Sequence, residues 1–127
     1  MIKKRELIPI WSNLPFLLPA ALAVYVGLPA YGGLIAVATI VSLIHHIDNG
    51  INVKRVDQFF ALSVITANLY VLHLSNWQQP YFAIALLFVG IAFYFFFKGK
   101  NHRYDLYHGL WHLSSVVITL MCVLAYY

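Results

Sequence analysis

Hydrophobic residues run in long stretches broken by short polar or turn-forming segments, a pattern that predicts membrane-crossing helices. The runs cover approximately residues 11–28, 34–47, 57–74, 81–97 and 107–127, and the third can be started at Val56 or Asp57. Pro29, Tyr31, Gly32 and Gly33 predict a tight turn after the first run, and Asn49-Gly50 predicts another after the second, with Lys54 and Arg55 in the polar connection. Asn76, Gln78, Gln79 and Pro80 make an uncharged turn before the fourth run; residues 98–103, from Lys98 to Arg103, make a charged one before the fifth. The first run follows Lys3, Lys4 and Arg5 as a signal sequence would. It carries Pro15 and Pro19, however, and no small-residue cleavage pattern ends it, so it is expected to be a retained, kinked helix. Each run is near the short end of what spans a hydrocarbon core of about 30 Å, so little tilt is expected.

Composition agrees with this pattern. Hydrophobic residues make up 62% of the 127 positions and charged ones 9%, whereas a soluble domain would carry about a quarter charged residues. The expected fold is therefore an all-α integral membrane helical bundle, a single multi-pass transmembrane domain over residues 1–127 with five spans. The lone cysteine, Cys122, excludes an intrachain disulfide and a thiolate-rich metal site. With five spans, all eight Lys and Arg residues (3, 4, 5, 54, 55, 98, 100 and 103) fall on one side. The positive-inside rule then gives N-terminus in and C-terminus out. This placement accounts for the net charge of +4 without a nucleic-acid partner.

Against that apolar background, His108-Gly-Leu-Trp-His112 is the segment that needs a chemical reason. Positions i and i+4 share one helix face about 6 Å apart along the axis, so both rings can hold one ion. Paired histidines also hold haem, line proton paths or bond each other. The expected topology adds His46 at the cytoplasmic end of the second span and Asp57 at the cytoplasmic start of the third, level with His108 and His112. Ionisable groups that converge inside a bundle point to function. Three neutral imidazoles with one open position are the ligand set of a catalytic zinc. Ser42, four residues before His46, projects from the same face one turn deeper, where its hydroxyl can donate to a bound oxygen. Asp57 can serve as general base and then acid. Together these are parts for metal-assisted hydrolysis of a carbonyl compound. His45 is the alternative ligand to His46.

The order Ser42-x-x-x-His46, Asp57 at the start of the next helix and His108-x-x-x-His112 on the last helix resembles the signature of the CREST superfamily, which includes the alkaline ceramidases and the adiponectin and progestin receptors. The resemblance implies zinc held by His46, His108 and His112, with Ser42 and Asp57 around the zinc water. It also implies amidase activity on lipid substrates such as ceramides. The short interval from His46 to Asp57 is more similar to the ceramidase branch. The family usually has seven spans where five are expected here, and a homo-oligomer would let two protomers supply the missing walls to each other.

The remaining polar residues have plainer expectations. His73 is expected near the opposite membrane face, His102 in a solvated loop, Asp105 as a first-turn helix charge and Asn68 against another helix. Ser115 shares the ligand face and either contacts ring or substrate or bonds back to its own helix. The basic rim marks orientation and anionic headgroups. Two other function classes stay open: a non-catalytic receptor or structural protein tied together by zinc, and a bis-histidine haem membrane protein, which would have no use for Ser42 and Asp57.

Overall fold

The computed structural model describes residues 7–48 and 50–127. Lys3, Lys4 and Arg5, which enter the expected orientation, and Asn49 of the Asn-Gly turn lie outside the described residues. Among the described residues there is helix and no strand: α1 (Leu7–Asn13), a 3-10 turn (Leu14–Phe16), α2 (Leu17–Tyr25), α3 (Pro29–Ile47), α4 (Ile51–Leu74), α5 (Tyr81–Asn101) and α6 (Tyr104–Tyr126). The all-helical membrane-type fold expected from the sequence is the one observed.

The first rod is interrupted where its prolines predict a break. Pro15 has no N–H to give to the turn before it, and the 3-10 segment falls at that residue. Just before the break the side chains of Ser12 and Asn13 both bond the Pro9 carbonyl at 3.0 Å.

The expected turn at residues 29–33 is not where the chain reverses. Leu28 N–H bonds Ala23 O at 2.8 Å and Gly27 N–H bonds Val24 O at 3.2 Å, a Schellman closure with Gly27 in the left-handed region at φ 88. Pro29 then begins α3 at a position where its missing donor costs nothing. Gly32 is helical and serves packing instead: a β-carbon there would lie 2.6 Å from Ala20 O and 2.7 Å from Val24 Cγ2. A second Schellman closure ends α4, with Trp77 N–H on Leu72 O and Asn76 N–H on His73 O, both at 3.0 Å.

Helix ends also extend past the expected spans. Lys54 and Arg55 lie within α4 and not in a polar connection, and Lys98 to Asn101 continue α5, leaving only His102 and Arg103 between α5 and α6. Hydropathy marks the part of a helix that suits hydrocarbon; the hydrogen-bonded helix continues into the interface. Among the described residues, four rods are long and apolar enough to cross a membrane: Leu7–Tyr25, Pro29–Ile47, Tyr81–Asn101 and Tyr104–Tyr126. The fifth, α4, has the length at 24 residues but is diluted by Lys54, Arg55, Asp57, Gln58 and Asn68.

Packing has the sense expected in lipid. Outward positions such as Phe59, Leu62, Leu87 and Phe93 are exposed and apolar, while Thr39, Ser42, His46, Asn68, His112 and Thr119 are buried. One end of the bundle is a dry core of small and apolar side chains, including Ala20, Ala23, Ile35, Val71, Cys122 and Val123. Beside it, Tyr31 donates to Asn68 Oδ1, and Asn68 donates to Thr119 Oγ1 at 3.2 Å, joining α3, α4 and α6. The histidines gather at the other end. There α6 packs against α1, α4 and α5, whereas α4 and α5 scarcely touch each other.

Candidate metal centre

The buried residues of α3 include Tyr31, Ile35, Thr39, Ser42 and His46, spaced by three or four so that they form one core-facing stripe. His46 ends that stripe and is 1% exposed. On α6, Gly109, His112, Val116 and Thr119 form the matching stripe, and His108 joins His112 one turn nearer the helix start. Both stripes point into the bundle interior, where the long imidazole side chains meet.

The ring centroids of His46 and His108 are 5.2 Å apart, those of His46 and His112 5.4 Å, and those of His108 and His112 4.5 Å. One potential ligand nitrogen from each ring lies within 4.8 Å of the other two, close enough for the three to hold a metal ion. Ligand nitrogens around a tetrahedral zinc are separated by about 3.4 Å, so modest ring rotations would close the set around an ion.

The orientation of His112 fits a ligand. Ser12 Oγ lies 3.2 Å from His112 Nδ1, and the Ser12 hydroxyl donates to Pro9 O at 3.0 Å. With its proton committed there, the serine oxygen accepts Nδ1–H, and the lone pair of Nε2 is left for an ion. Gly109 permits this approach: a β-carbon on it would lie 2.5 Å from Ile8 Cγ2 and 3.5 Å from Ser12 Oγ. His108 is held by the stacked ring of Tyr104, 4.8 Å away at 22°, and by Trp111 at 5.1 Å.

No protein-family model, curated protein or solved structure matches the chain. The case for a site therefore rests on its own geometry.

Ser42 and Asp57 line the same cavity, and the Asp57 carboxylate lies within electrostatic reach of Ser42, His45 and His46. His45, the alternative ligand, is outside the three-histidine group and borders a second cavity of mixed lining. His73 packs on Trp77 at the far end, and His102 is exposed between α5 and α6. Asp105 takes its expected place in the first turn of α6. Ser115 combines its two expectations, bonding Trp111 O at 2.9 Å while bordering the main cavity.

Two cavities adjoin the centre. The larger, about 420 Å³, is mostly apolar and runs between α4 and α5 from Asp57 and His112 down to Leu72, Phe82 and Cys122. The smaller, about 330 Å³, is bordered by His45, Lys54, Asp57, Gln58, Lys100 and His108, among others. Asp57, Ala61, Phe96 and Trp111 line both, so the histidine group stands where a strongly apolar space meets one of mixed character that carries Lys54, Gln58 and Lys100.

The three histidines that the sequence singles out lie together, and Ser42 and Asp57 line the adjoining cavity. Sequence reasoning missed Ser12, Gly109 and Trp111. Gly109 and Trp111 lie inside the motif itself, where a small residue three before His112 is a signal for close helix approach. Ser12 has no local signal.

Proposed function

We propose that this chain is an intramembrane zinc-dependent hydrolase cleaving an amide or ester bond of a lipid, a five-span form of the CREST-like arrangement of Ser42, His46, Asp57, His108 and His112. All five rods cross the bilayer with the N-terminus inside, which sets the centre near the cytoplasmic face. Support for α4 as a span comes from its sidedness: Asn68 is buried while Phe59, Leu62, Ile65 and Leu69 are exposed.

The observation that carries the reading is the meeting of the two cavities at Asp57 and the histidine group. A lipid carbonyl can reach that point from the apolar side and water from the side that carries Lys54, Gln58 and Lys100. His46, His108 and His112 would hold the zinc, and zinc supplies Lewis acidity that polarises a carbonyl and acidifies water. Asp57 takes the proton of the attacking water and returns it to the leaving group. Ser42, which lines the same cavity, stands where its hydroxyl can orient the Asp57 carboxylate or donate to a bound oxygen. The apolar cavity borders α4 from Asp57 to Leu72, a rise of about 22 Å, comparable with a long acyl chain, and the parted edges of α4 and α5 give that chain a way in from the bilayer. A ceramide is the substrate class the resemblance implies.

Elemental analysis of purified protein tests the centre. Wild type should carry stoichiometric zinc and His46→Ala, His108→Ala and His112→Ala should lose it; zinc retained in all three sinks the site. Asp57→Asn and Ser42→Ala should keep zinc yet lose release of fatty acid from a lipid mixture. Full turnover in both would remove Ser42 and Asp57 from the chemistry, and no release by zinc-loaded wild type would favour the alternative in which zinc only ties helices together.

A further inference from the structure

The two cavities differ in what they can accept. His112 and Ser115 border the apolar one, His108 the mixed one, and Trp111 and Phe96 stand between. A bond cleaved at the histidine group therefore has its acyl side among α4 and α5 side chains and its leaving group in the smaller space. That smaller space brings together Lys54 from α4 and Lys100 from α5, with Gln58 and Tyr104 beside them. Lys100 Nζ lies 4.8 Å from the centroid of the Phe96 ring, on the wall the two cavities share. Lys54 and Lys100 are both exposed, so a small anion there would pair with their ammonium groups; the rest of the lining includes Phe95, Phe96 and Trp111. The carboxylate of Asp57 also faces the space, and it sits at the reacting end, beside Ser42, where the leaving nitrogen needs a proton.

We infer that the substrate is a single-chain acyl amide or ester whose leaving group is small and anionic, a carboxylate or phosphate that Lys54 and Lys100 receive. This rests on the hydrolase reading and narrows it away from a two-chain ceramide. In an acyl amino acid, water oxygen bonds to the carbonyl carbon, the carbon–nitrogen bond breaks, and the proton taken up by Asp57 passes to the leaving nitrogen. The products are a fatty acid and a free amino acid, with no oxidant or reductant required.

The test compares N-palmitoylglycine with N-palmitoylethanolamine, which differ in the carboxylate, in vesicles of neutral phosphatidylcholine with zinc-loaded protein. The expected kcat/KM for the glycine conjugate is about tenfold higher. In the Lys54→Gln, Lys100→Gln double variant that preference should disappear, with zinc content unchanged. Equal turnover of the two substrates by wild type overturns the anionic specificity and leaves the hydrolase reading standing. So does equal stimulation of both by added phosphatidylglycerol with no preference in neutral vesicles, which would assign the lysines to the membrane surface. Release from neither substrate, nor from ceramide, by zinc-loaded protein overturns both readings together.

Discussion

Ser12 Oγ and His112 Nδ1 lie 3.2 Å apart across 100 residues of chain, joining the interrupted first rod to the last helix at the candidate centre. Because the Ser12 proton is given to Pro9 O, the serine oxygen fixes which ring nitrogen of His112 carries hydrogen. Second-sphere partners of this kind typically change metal affinity by about 10- to 100-fold. Ser12→Ala should lower zinc affinity by that order, read by competition with a chelator, while Ser12→Thr should retain most of it. Unchanged affinity in Ser12→Ala would mean that another group, such as Pro9 O, orients the ring alone.

Gly109 is the reason Ser12 can stand so close. In Gly109→Ala the added carbon would meet Ile8 Cγ2 at 2.5 Å, and forced overpacking costs about 1–3 kcal/mol. We expect a lowered unfolding temperature in detergent and weaker zinc binding, since α1 must move away from α6. Adding Ile8→Ala should recover part of both losses, because it removes the clashing methyl. A double-mutant cycle with no coupling between positions 8 and 109 would count against this account.

The Tyr31, Asn68 and Thr119 network separates stability from chemistry. Asn68 accepts from Tyr31 and donates to Thr119, so Asn68→Ala leaves two buried hydroxyls short of a partner. Interhelical bonds in membranes are worth about 0.6–2 kcal/mol each, and a drop in stability of that size is expected. Zinc content should not change, because the network lies about 16 Å along α4 from Asp57, eleven residues at 1.5 Å each. Loss of metal in Asn68→Ala would show that the bundle's two ends are coupled.

Much of the centre was legible because its parts are local. Ser42 and His46, like His108 and His112, are one turn apart, and such spacing survives any packing. Asp57 needed only the count of helices to bring it to the same end. What depended on tertiary approach was not legible: nothing near Ser12 announces a partner near the other terminus. The glycines misled for a related reason. Gly32-Gly33 was read as a turn, yet Gly32 lets α2 and α3 touch and the reversal belongs to Gly27. In a membrane bundle small residues serve helix contact as often as chain reversal, and sequence does not say which.

The apolar cavity makes a prediction about chain length. Val89 of α5 borders it, seven residues from Phe96 and so about 10 Å from the end where the histidines stand. Val89→Phe places a ring partway along the groove without touching the ligands. A palmitoyl amide would then lack room for its distal half, whereas a butyryl amide would end before reaching the ring. We expect at least a tenfold fall in kcat/KM for the long substrate, equivalent to about 1.4 kcal/mol, with the short one little changed and zinc content intact. Uniform loss for both would mean that the substitution disturbs the centre itself, and no loss for either would mean that the acyl chain follows another path.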